Sequence, residues 1–235
     1  MTAIAVRPMH PDRATHMTLE TTPDRDPAAF ARAFPWQFRS RIPARIHPAG
    51  ASLQRIDILE IGPGRGEFLL TAARSYPDLR YLGIELGRRR FDKLRARCDR
   101  LALNNVVLLH ADARLAIPQF VPESAVAQIH VLFPDPWPKR RHAFLRLLSI
   151  QFLLMLYTRL RAGGVLVMRT DVRQYADWVA RNTEAVAGLT RDDGHSALDT
   201  QLETEGATSH FERKWRADGA RILRLCWRKA AGDTS

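Results

Sequence analysis

Cysteine is almost missing from this chain of 235 residues, with Cys98 and Cys226 the only two. They form no CxxC pair, so neither a thiolate metal site nor a disulfide framework is expected; buried thiols in a reducing compartment fit better. Long apolar runs are missing too, and nothing approaches the ~20 residues that a bilayer-spanning helix needs. The arginine-bearing N-terminus lacks an apolar signal core, so a cytoplasmic protein without membrane attachment is expected. Lysine occurs only at Lys93, Lys139, Lys214 and Lys229, so arginine supplies nearly all of the 36 basic residues. Against 25 acidic residues these leave a formal charge of +11. A GC-rich genome alone would favour arginine, but the surplus also suits a polyanionic partner, because neutralising phosphates releases counterions.

The length suits one domain with a sizeable core. Residues 1–38 are rich in Pro, Thr, Asp and Arg without sustained periodicity. They are expected to be disordered or loosely docked through Phe30, Phe34, Trp36 and Phe38, leaving 39–235 as the folded domain. From Arg55 strands and helices alternate. Strands are expected at Ile56–Ile61, 80–86, Val106–His110, 125–133 and 165–169, and a terminal one at 221–227. Helices are expected at 67–76, 88–103, 144–160 and 172–187, the third closed by Gly163-Gly164 as a C-cap. Residues 188–218 look irregular. The alternation implies an α/β fold with a mostly parallel sheet covered on both faces and an antiparallel C-terminal edge strand.

The first strand runs into Glu60-Ile61-Gly62-Pro63-Gly64-Arg65-Gly66-Glu67, a glycine loop opening a helix. The dinucleotide fingerprint would put its third glycine at position 67, where this chain has Glu67. A carboxylate there, with Glu60 at the strand end, is a poor neighbour for a pyrophosphate, which disfavours a nicotinamide enzyme. It suits a cofactor with a cationic, amino-acid-like end. Glu85 ends the second strand, where a carboxylate can take ribose hydroxyls, and Asp112 follows the third, where it can meet an adenine amino group. The alternative is that these acids cap the helices that follow. As a set they resemble the S-adenosylmethionine site of class I methyltransferases.

A second loop is built from Leu132-Phe133-Pro134-Asp135-Pro136-Trp137-Pro138-Lys139, followed by Arg140-Arg141-His142. Proline fixes its own φ and pushes the preceding residue to extended geometry, so Asp135 between two prolines is held stiffly at a strand end. Trp137 suits either packing or base stacking, and His142 suits a solvated or capping role better than catalysis. The arginines at 88, 89, 90, 95, 97 and 100 make either a solvated helix face or an RNA track.

Taken with LEIGPGRGEFL, YLGIEL, HADA and the later Arg169-Thr170-Asp171, this loop is similar to that of the bacterial tRNA (guanine-N7)-methyltransferase family, over roughly residues 56–227. The resemblance implies a class I S-adenosylmethionine-dependent methyltransferase fold (Rossmann-like) for 39–235. It implies methyl transfer from S-adenosyl-L-methionine to N7 of a variable-loop guanine, position 46 of tRNA. By resemblance the cofactor positions are Glu60, Gly62, Gly64, Glu85 and Asp112, and the catalytic one is Asp135. The substrate positions are Lys139 and Asp171, with Ser209, His210, Phe211 and Glu212 from a terminal T-x-[FY]-E-like element. The partner implied is tRNA, bound by a monomer or homodimer that needs no metal. The chain departs from the family at Ala143-Phe144-Leu145, where further cations usually follow the Arg141-His142 pair, and at Ser209, where threonine is usual. A same-fold enzyme for another RNA or a small substrate, or an idle RNA-binding relative, are the alternatives. Guanine N7 has a lone pair and no proton to lose, so the implied reaction needs alignment and charge stabilisation rather than a general base.

Overall fold

Buried apolar runs bounded by glycine or charged turns make the central strands. In this computed structural model, which describes residues 45–48, 51–192 and 197–231, strands β2 (Ile56–Ile61), β3 (Tyr81–Glu85) and β5 (Val126–Leu132) are buried at every position. That pattern belongs to parallel strands covered on both faces. The other strands are β1 (Arg45–His47), β4 (Val106–His110), β6 (Leu160–Thr170), β7 (Leu189–Arg191) and β8 (Leu223–Lys229). The helices are α1 (Glu67–Ser75), α2 (Arg88–Arg100), α3 (Ala113–Phe120), α4 (Ile150–Arg159), α5 (Arg173–Glu184), α6 (Ala197–Thr204) and α7 (His210–Ala217). The expected N-terminal segment 1–38 lies outside the described residues.

The eight strands run in the order β1-β4-β3-β2-β5-β6-β8-β7, with the five from β4 to β6 parallel and β1, β8 and β7 pairing antiparallel at the edges. Chain progress reverses between β2 and β5, and ligands of open α/β sheets bind outside the carboxyl ends of strands at such a point. One face of the sheet packs Leu59, Ile84, Ile129 and Leu166 with Phe152, Leu156 and Val179 of α4 and α5. The other packs Ile58, Tyr81 and Leu108 with Phe68 and Leu69 of α1, Leu94 of α2 and Leu202 of α6. Gly66 (φ +75°) takes left-handed backbone that favours glycine, and a Cβ there would also press on the Leu94 side chain. Cys98 and Cys226 are buried, and no disulfide links them.

Three expectations need correction, and one helix went unread. The helix expected at 144–160 is a 3₁₀ turn, Arg140–Leu145, and then α4, which starts later because the Ser149 hydroxyl accepts from the Phe152 N–H. The glycine pair does not cap it. α4 ends at Arg159, and Gly163 (φ +71°) serves the register shift early in β6, where Val126 faces Leu160 but Gln128 faces Val165. Residues 188–218 are not irregular; they hold β7, α6 and α7, anchored by the apolar Leu189 and Leu202 and by the buried carboxylates Asp199 and Glu212. α3 was hidden by the proline inside it, Pro118. Among the described residues no helix is long and apolar enough to cross a membrane.

Candidate active site at the carboxyl ends of β2 and β5

Two loops leave adjacent strands side by side, since Glu60 faces His130 and Ile61 faces Val131 in register. The first is the glycine loop. Gly62 (φ +75°) and Gly64 (φ +58°) take left-handed backbone, and Cβ atoms at either would meet essentially open space. The loop therefore bares its backbone to anything lying beside it. The Gly64 N–H donates to Glu85 Oε2 at 2.9 Å, while Glu85 Oε1 accepts from the Gly87 N–H at 2.6 Å and Arg90 Nε at 2.9 Å. Glu85 thus ties the glycine loop to the start of α2, with capacity left on Oε2 for one more donor.

Glu60 lies beneath this loop, 2% exposed, and its Oε2 has no hydrogen-bond partner. Burial, and then the charge of Glu85, pushes its pKa up to about 8. A cation at the loop would satisfy that orphaned oxygen, so the residues present fit the sulfonium and ammonium end of S-adenosylmethionine. Asp112 also caps the helix that follows it. Its carboxylate caps α3 by accepting from the Arg114 N–H at 3.0 Å, and it grips the Arg114 guanidinium at 2.6 Å.

The second loop carries Asp135, which is exposed at the end of β5. Left-handed Phe133 (φ 51°) and Trp137 (φ 42°) flank the Pro-Asp-Pro triplet, strained positions for bulky residues. Three contacts hold this geometry. The Phe133 N–H donates to the Arg169 carbonyl at 2.8 Å, and Arg146 donates to the carbonyls of Pro136 (2.9 Å) and Trp137 (3.2 Å). The Arg146 guanidinium also lies over Trp178, 5.0 Å from the ring centroid, and near Tyr175 at 5.8 Å. Tyr175 has its pKa raised chiefly by burial, and Asp135 is close enough to add to that rise. Arg146, Tyr175 and Trp178 escaped the sequence reading, because nothing local marks them as partners of the loop. Trp137 is half-buried, edge-on to His142 with centroids 5.7 Å apart. Lys139 and Arg141 are exposed, and Phe144 is 65% exposed.

The remaining candidates arrive from β6 and α7. Leu132 faces Arg169 in register, so Asp171 just beyond β6 stands level with the start of the Asp135 loop. Ser209 caps α7, its hydroxyl accepting from the Glu212 N–H at 3.1 Å. The first turn of α7 then bridges the two loops. His210 Nδ1 lies 3.7 Å and Arg213 Nη2 3.1 Å from Glu67 Oε1, while Phe211, 52% exposed, lies 6.4 Å ring to ring from Phe133. Glu212 turns inward, fully buried, to pair with Arg169 and Arg216, each at 2.7 Å. Arg169, 1% exposed, also holds Asp199 at 2.8 Å. A charged residue closing the apolar run of β6 was the available signal for this cluster.

A family model described as "Putative methyltransferase" matches residues 54–225. The tRNA (guanine-N(7)-)-methyltransferase of Anaeromyxobacter dehalogenans is 38% identical over 186 residues, covering 77% of this chain and 88% of that protein. That of Thermotoga maritima is 32% identical over 75% of this chain, which spans only 55% of the Thermotoga protein. Among solved structures the 16S rRNA methyltransferase KamB superposes with a TM-score of 0.54 at 21% identity, over 75% of this chain and 89% of KamB, a likeness of fold alone. On the span of the family match and the identities to these relatives, the chain belongs to the tRNA (guanine-N(7)-)-methyltransferase family.

Proposed function

We propose that the protein transfers the methyl group of S-adenosylmethionine to N7 of a tRNA guanine in the cytoplasm, at position 46 of the variable loop. One observation carries this reading above the others: an open glycine loop over a buried Glu60 with an orphaned Oε2, and a rigidly held, exposed Asp135, leave the sheet side by side at its switch point. Bound S-adenosylmethionine supplies an electrophilic methyl on a sulfonium. The chain must then align N7 with it and stabilise the positive charge that spreads onto the purine. Asp135 does this best, because its loop is fixed and a carboxylate accepts from guanine N1–H and N2–H. Asp171, level with the start of that loop, is the second choice. Phe211, half-exposed next to Phe133, offers a face on which a splayed base can stack. Lys139 and Arg141 are placed for flanking phosphates. Glu212 supports catalysis from behind, by seating α7 through Arg169 and Arg216.

The test is methyl transfer from labelled S-adenosylmethionine to unmodified tRNA, with the product nucleosides separated by mass spectrometry. The expected product is 7-methylguanosine. Asp135→Ala should lower turnover by about 10²–10³ with cofactor affinity unchanged; full turnover in that variant removes Asp135 from the mechanism. Cofactor binding without 7-methylguanosine would move the reading to another substrate, in keeping with exposed Phe144 where the family usually carries a cation.

A further inference from the structure

Several arginines on this protein are answered by acids. Arg90 meets Glu85, Arg213 meets Glu67, Arg216 and Arg224 meet Glu203, and Arg228 meets Asp192. One concave place gathers three arginines instead. A groove of about 560 Å³ between β1 and α2 is lined by Arg45, Arg88 and Arg95, with His47 and a single acid, Asp92, over the apolar side chains of Ile46 and Phe91. Arg45 and Arg95 are exposed and form no ion pair among the described residues. Arg88 reaches only Asp92 of its own helix, at 3.6 Å with both side chains well solvated. Like charges gathered on a concave surface with apolar walls repel one another and focus a positive field, an arrangement that an anion relieves.

The groove is also placed where an anion is wanted. Arg45 faces His110 across the β1–β4 pair, and His110 faces Glu85 on β3, so the groove opens at the carboxyl edge of the sheet, as the candidate site does. Three strand spacings separate β1 from β2, about 14 Å. That distance puts the groove beyond the target nucleotide and within the footprint of a folded RNA.

We propose that this groove is a second phosphate-binding subsite, in which Arg45, Arg88 and Arg95 grip substrate RNA backbone remote from the guanine being methylated. The assignment rests on the tRNA reading above. It divides labour between two basic regions: Lys139 and Arg141 hold phosphates beside the reacting base, and the groove anchors the body of the RNA.

The test compares Arg88→Gln/Arg95→Gln with a control of equal charge loss, Arg74→Gln/Arg161→Gln, at exposed positions on the amino side of the sheet. Affinity for unmodified tRNA is measured over a salt series, alongside methylation kinetics, cofactor binding and thermal unfolding. In the groove variant the slope of log Kd against log salt should fall by about 2, one per lost phosphate contact. KM for tRNA should rise while kcat stays within about twofold, since the reacting groups are untouched. The control should keep the wild-type slope. A groove variant with wild-type slope and KM, or one no worse than the control, overturns the subsite while leaving tRNA methylation standing. A wild-type protein that shows no salt-dependent tRNA binding and forms no 7-methylguanosine overturns both.

Discussion

The Arg146 guanidinium stacks on Trp178 and Tyr175 while its two donors meet consecutive carbonyls of the Asp135 loop. Only a planar fork can do both, and an ammonium at the same place would reach one carbonyl without stacking. The left-handed backbone at Phe133 and Trp137 costs on the order of 1–3 kcal/mol per residue and persists only where the surroundings enforce it. Arg146→Lys should therefore let the loop relax. A displacement near 1 Å costs about 10²-fold in turnover, so kcat should fall by ten- to a hundredfold with cofactor affinity unchanged. Steady-state kinetics beside calorimetric titration of the cofactor measure both, and an unaltered kcat would show that the prolines alone hold Asp135. The sequence displays Asp135 and Glu60 openly, because a motif carries them. It displays Arg146 only as one more charge after Phe144-Leu145, since its partners lie in α5, far along the chain.

Helix α7 brings Phe211 and His210 to the two loops, yet its one fully buried side chain is a carboxylate, Glu212. It is seated by charge where most helices are seated by an apolar stripe. That explains why hydrophobic periodicity finds β2, β3 and β5, whose residues are buried throughout, but misses α7; β7 and α6 bury Leu189 and Leu202 but are too short to show a period. α3 was lost to Pro118 and the start of α4 to Ser149, both local effects that override an apolar pattern. Strand order was not legible either, and the edge strand β1 is three residues long. The seating of α7 depends on Arg169 between Asp199 and Glu212, all three about 1% exposed. Removing one partner of such a cluster strands the others, at about 3–5 kcal/mol. Arg169→Met should lower stability by that amount in denaturant titrations, and adding Glu212→Gln should recover part of it. A loss below about 1 kcal/mol would mean that α7 is held by other contacts.

Across the whole molecule, two titratable groups sit neutral on one face of the sheet at neighbouring strands: Glu60, pushed up to about 8, and His130, pushed down to about 4 chiefly by burial against the partial counterweight of Asp199. Unfolded, Glu60 loses its proton near 4.5, so stability falls as pH rises from there through about 8. Unfolded His130 takes up a proton near 6.5, so stability falls as pH drops from there through about 4. Between 4.5 and 6.5 the two slopes oppose and nearly cancel. Above 6.5 only the Glu60 slope remains, a loss on the order of 2 kcal/mol by pH 8. A cation lying on the glycine loop favours the Glu60 carboxylate and offsets that loss. The Tm of the protein alone should therefore decline from pH 6.5 to 8, while the Tm increment given by S-adenosylmethionine grows over the same interval. Glu60→Gln should flatten both trends, which assigns them to Glu60. An increment that shrinks with rising pH in the wild type would place the positive end of the cofactor away from Glu60, and the glycine loop would then have to bind it through its backbone alone.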